Sequence, residues 1–134
     1  MSVEQQMVAV ARLHAGLAAL VAARIYPLVL PQSPTLPAVV YQRISGPRTH
    51  AIGSGSFLAS PRIQWSCWAT TYSGAKAVAE QLRKALDGVL GSMNDLADPA
   101  AQWMAQEVND LDDFDLITGH FRVIVDFVAT HDEV

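Results

Sequence analysis

Four histidines, His14, His50, His120 and His131, are the first candidates for metal binding in this sequence. No two of them stand four residues apart, the spacing that places two imidazoles on one helix face for zinc. His120 and His131 flank a predicted strand and are an odd number of positions apart, so a regular strand turns them to opposite faces. Surface or capping roles are therefore favoured over a metal site.

An acidic run is the next candidate, and the ligand it suggests is calcium. It consists of Asp110, Asp112, Asp113 and Asp115. A calcium loop of the EF-hand type needs an oxygen ligand where Phe114 stands, a glycine where Asp115 stands and a glutamate where Phe121 stands. Since all three positions fail, the run is predicted to be a solvated acidic turn over residues 110–115.

Two further motifs could support phosphate binding or nucleophilic catalysis. Residues 53–56, Gly-Ser-Gly-Ser, lack the lysine of a P-loop, and no predicted helix opens directly behind them. Cys67 would need a histidine partner and an electropositive, partly open setting. The chain's single cysteine instead shares a strand face with Trp65, which predicts a small buried hydrophobe. None of these motifs therefore indicates an enzymatic activity.

Hydrophobic periodicity gives the elements that position these residues. Strands are predicted at 38–45 and 62–69, more weakly at 102–108, and at 121–130, where apolar and polar residues alternate. Helical spacing predicts a first helix ending near Leu13, a short helical turn through Leu17 and Val21, and a second helix at about 73–90. The predicted class is α+β, a four-stranded, mainly antiparallel sheet with the N-terminal and second helices packed on it. At 134 residues, the expectation is a single domain, 1–134.

Composition narrows the function further. A net charge of −4 argues against a general binder of nucleic acid or anionic membrane, and one cysteine excludes an internal disulfide framework. With Glu4 near the start and no long apolar run, neither an export signal nor a membrane span is expected, so synthesis in the cytoplasm is predicted.

Trp68 lies on the strand face opposite Trp65 and Cys67, the face that also carries Arg62, Gln64, Ser66 and Thr70. Two readings stay open: the first helix covers Trp68, or Trp68 anchors a subunit contact, since tryptophan and arginine are typical interface anchors. Residues 46–61 are rich in glycine, proline and hydroxyl side chains and are longer than a hairpin turn. This segment is predicted to be a long functional loop.

The order of five segments resembles the small tail-completion, or tail-terminator, proteins of long-tailed bacteriophages and prophages. These segments are SVEQQMVAVARL, ARIYPLVLPQ, LPAVVYQRISG, PRIQWSCWATTYSGAKAVAEQLRKAL and GHFRVIVDFVATH. The resemblance implies a non-enzymatic structural role without cofactors: a homo-oligomeric ring, usually a hexamer, that caps the tail tube. Its implied partners are the major tail tube protein and the head connector. The implied location is the virion tail, after assembly in the host cytoplasm. The resemblance also implies that DNA passes through the ring without specific binding.

Two site hypotheses follow from this resemblance. A flexible loop at residues 48–59 is expected to order on meeting a partner, and the acidic turn of Asp110, Asp112, Asp113 and Asp115 is expected to face the ring channel, where like charge repels DNA. The predicted residues of the subunit or partner interface are Arg48, Thr49, His50, Phe57, Leu58, Arg62 and Trp68.

The alternative function is a small α+β ligand-binding or adaptor domain that uses a sheet edge or a pocket between sheet and helices.

Overall fold

A computed structural model describes residues 3–45, 48–50, 57–88, 90–92 and 102–133 of the chain. The described residues form three helices: α1 (Val3–Leu13), α2 (Ala15–Val21) and α3 (Tyr72–Leu86). One sheet contains eight strands: β1 (Ile25–Pro27), β2 (Ala38–Ser45), β3 (Arg48–His50), β4 (Phe57–Ala59), β5 (Arg62–Ala69), β6 (Leu90–Ser92), β7 (Gln102–Asp115) and β8 (His120–Glu133). The predicted α+β class is confirmed.

The four long strands β2, β5, β8 and β7 pair antiparallel in that spatial order, and they are the four that the sequence predicts. The remaining strands have three residues each and add to the ends and edges of this framework. Among them, β1 pairs with β2 in parallel, so the sheet is mixed. Three residues are too few to show a periodicity, which explains why these strands were not predicted.

The core lies between one face of the sheet and the three helices. Ile63, Trp65 and Cys67 of β5 turn to this side, as their alternation predicts, and all three are fully buried. Helix α1 presents Met7 and Ala11, four residues apart, to the same core. The stripe from α3 is also buried; it consists of Ala75, Val78, Ala79, Leu82, Ala85 and Leu86.

Helix α3 begins and ends slightly earlier than the predicted 73–90. Thr71 is its N-cap, and the Thr71 side chain accepts a hydrogen bond from Gly74 N at 3.0 Å. The helix ends at Leu86 because Asp87 is extended and Gly88 has φ of +73°, a left-handed conformation that favours glycine. In the described part of the chain, no helix has the length and apolar content to cross a membrane.

The loop prediction for residues 46–61 needs correction. Residues 48–50 and 57–59 are strands that pair antiparallel with one another, and β4 also pairs with the end of β8. The segment therefore continues the β2 and β5 strands as a two-stranded arm, while residues 51–56 lie outside the described residues. A glycine- and proline-rich composition favours a loop locally, but the long strand β8 supplies a third strand on which the arm pairs.

The predicted acidic turn at 110–115 is also wrong in its secondary structure. These residues are the end of β7, which runs on from the predicted 102–108 to Asp115. A register shift between Glu107 and Asn109 interrupts the alternation at Val108, and this β-bulge hid the continuity of the strand. The turn comes later, at residues 116–119, where Gly119 has φ of +74° and its N–H donates to Asp115 O at 2.8 Å.

Candidate interaction surface

The sheet face turned away from the helices, here called the groove face, carries a groove of about 470 Å³. Val40, Ser66 and Trp68 lie on this face of β2 and β5, and the strand register places Trp68 beside Arg122 of β8. The proline-rich segment after β1 forms one wall, and the β7–β8 hairpin forms the other. The lining residues are Leu28, Val29, Leu30, Pro31, Pro34, Val40, Gln42, Gln64, Ser66, Trp68, Asp115, Thr118, His120 and Arg122.

Trp68, Arg122 and Asp113 form a connected cluster across three adjacent strands. The Arg122 guanidinium lies over the Trp68 ring, 5.0 Å from its centroid, and Arg122 Nη2 donates to Asp113 Oδ2. That hydrogen bond is the main reason why the pKa of Asp113 is lowered, and the Phe114 N–H adds to the effect. The neighbouring Arg122 Nε is buried and has no hydrogen-bond partner among the described residues.

Neither reading of Trp68 anticipated this arrangement completely. The first helix does not cover Trp68, because α1 packs with the core on the opposite face, around Trp65. Trp68 is instead half-buried at the groove, next to the proline-rich segment. It is therefore available for the contact that the second reading predicts, although the contact itself stays a prediction.

Arg62 has a partner within the chain. Its Nη2 donates to Asp126 Oδ2 at 2.6 Å and its Nε to the same oxygen at 3.2 Å. Asp126 is only 4% exposed, so removing Arg62 would leave a buried carboxylate without its counter-charge. Arg62 thus has a structural role, and its part in an interface stays a prediction.

The other predicted interface residues lie far from Trp68 along the sheet. Trp68 is in register with Arg122, whereas β4 is in register with residues 131–133 of β8. Nine or more residues of strand separate the two places, about 30 Å at roughly 3.4 Å per residue. Only the backbone is described for this group, which comprises Arg48, Thr49 and His50 of β3 and Phe57 and Leu58 of β4. The sequence therefore predicted two separate regions, not one interface.

The four aspartates of β7 divide between the two faces of the sheet. On the helix side, Asp110 Oδ2 accepts from Arg83 Nη2 at 2.6 Å, and Asp112 accepts from Lys76 Nζ at 2.8 Å and from the Tyr72 hydroxyl at 2.6 Å. The Lys76 hydrogen bond is the largest cause of the lowered pKa of Asp112, followed by that of Tyr72. Asp113 and Asp115 belong to the groove face, and whether any of the four faces a channel stays a prediction.

Asp115 organises the turn that follows it. Its Oδ1 accepts from Ile117 N at 2.9 Å, and this hydrogen bond is the first cause of its lowered pKa. The turn presents two apolar residues to solvent, Leu116 at 87% and Ile117 at 95% exposure. Sequence reasoning missed them, although two adjacent aliphatic residues in a turn ended by Thr118 and Gly119 are an available signal, since turns are usually polar.

Cys67 and His14, candidates for nucleophilic catalysis and metal binding, have surroundings that are typical of structural residues. Burial raises the pKa of the Cys67 thiol to about 12, and the positive charge of Arg83 lowers it by less. His14 Nε2 and Gln81 Oε1 are 3.2 Å apart, which joins the α1–α2 junction to α3. Within the described ranges, no three or more His, Cys, Asp or Glu side chains are grouped so that they could hold a metal ion.

Comparison with known proteins identifies the fold and the family of this chain. No curated protein sequence matches the chain. A chain in the solved structure "Virion of native gene transfer agent (GTA) particle" has the same fold, with a TM-score of 0.75 and 17% sequence identity over 98% of this chain and 96% of that chain. Residues 5–132 match the family model of tail completion protein gp17. The resemblance found in the order of the sequence motifs is therefore confirmed, and the chain belongs to the tail completion protein gp17 family.

Proposed function

We propose that this chain is a non-enzymatic ring subunit that caps the tail tube of a phage or phage-like particle and provides the surface on which the head docks. The family supports a role in tail completion. The chain of similar fold is part of a gene transfer agent virion, which supports a place among virion proteins. The ring, a hexamer in this proposal, and the docking function go beyond both comparisons.

The observation that carries the proposal is the groove face with its half-buried Trp68–Arg122 stack. Subunits of a closed ring meet through two different complementary patches, so one molecule must present both. The groove offers a concave patch, and the exposed apolar turn at Leu116 and Ile117 offers a convex one. Tryptophan and arginine in a partly desolvated setting are the residue types that most often dominate binding energy.

The proposed partners are further copies of the chain, the major tail tube protein and the head connector. Assembly takes place in the host cytoplasm, the mature location is the virion tail, and DNA passes through the ring without specific binding. The whole chain, residues 1–134, acts as one domain in this proposal, with the acidic residues of β7 near the channel.

The first test is the mass of the purified protein over a concentration series, with electron microscopy of the largest species and of tail tubes to which the protein has been added. We expect rings of one size, in solution or on tube ends. Trp68→Ala should keep the fold, checked by circular dichroism, and lose ring formation or capping. Leu13→Ser, at an exposed position in the last turn of α1, is the control and should behave like the wild type.

Wild-type protein that stays monomeric at every concentration and leaves tube ends uncapped would overturn the ring proposal. Normal capping by a folded Trp68→Ala variant would show that the groove face has no part in ring formation, without contradicting the ring itself. The two results therefore separate the function from the surface assigned to it.

One observation favours the alternative of a ligand-binding domain. The groove has the volume of a small-molecule site and combines apolar walls with the polar groups of Gln42, Gln64 and Ser66. It lies on the face opposite the helices, however, and is neither a pocket between sheet and helices nor a sheet edge, the two locations named for that alternative. A thermal-shift screen of small molecules, with Trp68→Ala as the control, distinguishes the two functions, since a ring subunit is expected to give no hit that depends on Trp68.

A further inference from the structure

We propose that the β7–β8 turn of one subunit fills the Trp68 groove of the next subunit around the ring. The inserted residues are Leu116 and Ile117, and the receiving residues are those of the groove face. This inference rests on the proposed ring and names the contact that would close it. The occupant of the groove is thus a second copy of this chain.

The turn is built as a rigid projection. Its ends are joined by the hydrogen bond from Gly119 N to Asp115 O at 2.8 Å. Asp115 Oδ1 also accepts from Ile117 N at 2.9 Å, and Thr118 Oγ1 accepts from His120 N at 3.4 Å. A segment held in one conformation before binding loses little entropy when it binds. Its two aliphatic side chains nevertheless lie almost wholly in water, which is costly unless a partner covers them.

The groove, like this projection, presents exposed apolar surface. Leu28 and Val29 of its outer wall are 67% and 72% exposed, so both mating surfaces present apolar area that a contact would remove from water. At the inner wall, the Arg122 side chain is 29% exposed, and the accessible N–H groups of its guanidinium can donate to the carbonyl oxygens of an entering turn.

The arrangement of the two patches on one molecule points to a neighbour of the same kind. Asp115 and Thr118 line the subunit's own groove. Leu116 and Ile117 between them border an open depression beside it that also includes Trp68 and Arg122, yet both remain almost wholly exposed. Each subunit can therefore receive a turn in its groove while giving its own turn to the next, which is the head-to-tail contact that a ring needs.

The size of the contact predicts when it forms. One turn and one groove bury less than the roughly 1,200 Å² of a stable interface, so two isolated subunits should associate weakly. A ring gains from all its contacts together and from the tube end that holds the subunits side by side.

A disulfide-trapping experiment tests the proposed contact. Ile117→Cys and Val29→Cys proteins carry different affinity tags and are mixed in a glutathione redox buffer, at high concentration and on tail tubes. Both positions are exposed, so both variants should fold, and Cys67 stays unreactive because burial raises its pKa to about 12. The control mixture pairs Val29→Cys with Leu13→Cys, an 86% exposed position on α1.

We expect at least tenfold more mixed disulfide from the 29–117 mixture than from the 29–13 mixture. Equal amounts of mixed disulfide from the two mixtures, with wild-type protein capping tubes in parallel samples, would overturn the turn-in-groove contact. The proposal of a ring would not be affected. If the wild type neither forms rings nor caps tubes, the proposed function fails and this contact fails with it.

Discussion

Asp112 shows how the role of a single residue is decided by contacts distant in sequence. It lies in a run of aspartates that locally favours a solvated turn, yet it lies on a strand and accepts hydrogen bonds from Lys76 and Tyr72 of α3. The pKa of Asp112 is lowered by these bonds, chiefly by the one from Lys76. The ionised form is therefore favoured in the folded protein more than in the unfolded chain.

The sign of this shift gives a prediction for Asp112→Asn. A carboxyl whose pKa is lowered on folding stabilises the protein above its unfolded pKa, 3.8 for Asp, and this contribution is lost as the pH falls through the lower folded pKa. We expect the variant to melt at a lower temperature than the wild type at pH 6, with a difference that vanishes in the acid range. Thermal unfolding by circular dichroism from pH 2 to pH 7 measures it.

The control for this series is Glu80→Gln, which removes an exposed carboxylate of α3, the helix that carries Lys76 and Tyr72; Glu80 Oε1 lies 3.4 Å from Lys84 Nζ. Its effect should be small at every pH, because exposed pairs four residues apart on a helix contribute little. The Asp112 effect should also shrink in high salt, since both partners lie near the surface. A pH-independent difference for Asp112→Asn would contradict the electrostatic explanation.

At the scale of elements, substitutions in α3 and in the β7–β8 hairpin should separate effects on stability from effects on assembly. Leu82 of α3 is fully buried, so Leu82→Ala should cost about 2–5 kcal/mol of the free energy of unfolding through lost burial and a cavity. Leu116→Ser at the turn should change that free energy by less than about 0.5 kcal/mol, because Leu116 is exposed. Urea unfolding measures the first effect, and tube capping measures the second.

The two variants are controls for one another. We expect Leu116→Ser to fold normally and cap poorly, and Leu82→Ala to cap normally at temperatures where it remains folded. If Leu116→Ser capped tubes as well as the wild type, the turn would have no part in assembly.

The arm formed by β3 and β4 allows a second test of an element. His50 and Phe57 are register partners, so replacing residues 51–56 by Asn-Gly leaves a two-residue connection of the kind that closes antiparallel hairpins. If the segment between the two strands binds a partner, the shortened protein should retain its melting temperature and lose tube capping. Normal capping would show that this segment is dispensable.

These elements also show how far the sequence predicts the fold. The strands β2 and β5 and the core stripe of α3 were predicted because the apolar period and the direction of burial agree within each segment. The end of β7 was not, because its bulge at Val108 breaks the period and because Asp110 and Asp112 are compensated by Arg83 and Lys76 of α3. Such pairing between elements is invisible to a local pattern.

The candidate site was predicted in part for the same reason. Trp68 was recognised from its strand face alone, which is a local property. The groove was not, since it exists only where the proline-rich segment, Trp68 and the β7–β8 hairpin come together. The arm residues were grouped with Trp68 in the sequence, and only the register of β8 shows that they lie at the other end of the sheet.

At the scale of the whole molecule, the net charge of −4 is compatible with a ring through which DNA passes without binding. Of the aspartates on β7, Asp110 and Asp112 are turned toward cations of α3, whereas Asp113 and Asp115 belong to the groove face. Asp113 is itself paired with Arg122, so Asp115 is the better candidate for a residue that repels DNA. The position of both residues on the groove face would also suit them to a subunit contact.

The variant Asp113→Asn with Asp115→Asn separates these two roles, because it removes two negative charges while each asparagine keeps a side-chain oxygen that can accept the hydrogen bond from Arg122 Nη2 or Ile117 N. If the carboxylates face the channel, particles should assemble with normal tails and transfer DNA less efficiently, since passing phosphates would no longer be repelled. Electron microscopy of the particles and a DNA-transfer or infectivity assay measure the two steps, with Glu80→Gln as the charge-removal control on the far side of α3. Uncapped or overlong tails would instead assign Asp113 and Asp115 to the contact between subunits, and normal assembly with unchanged transfer would exclude both roles.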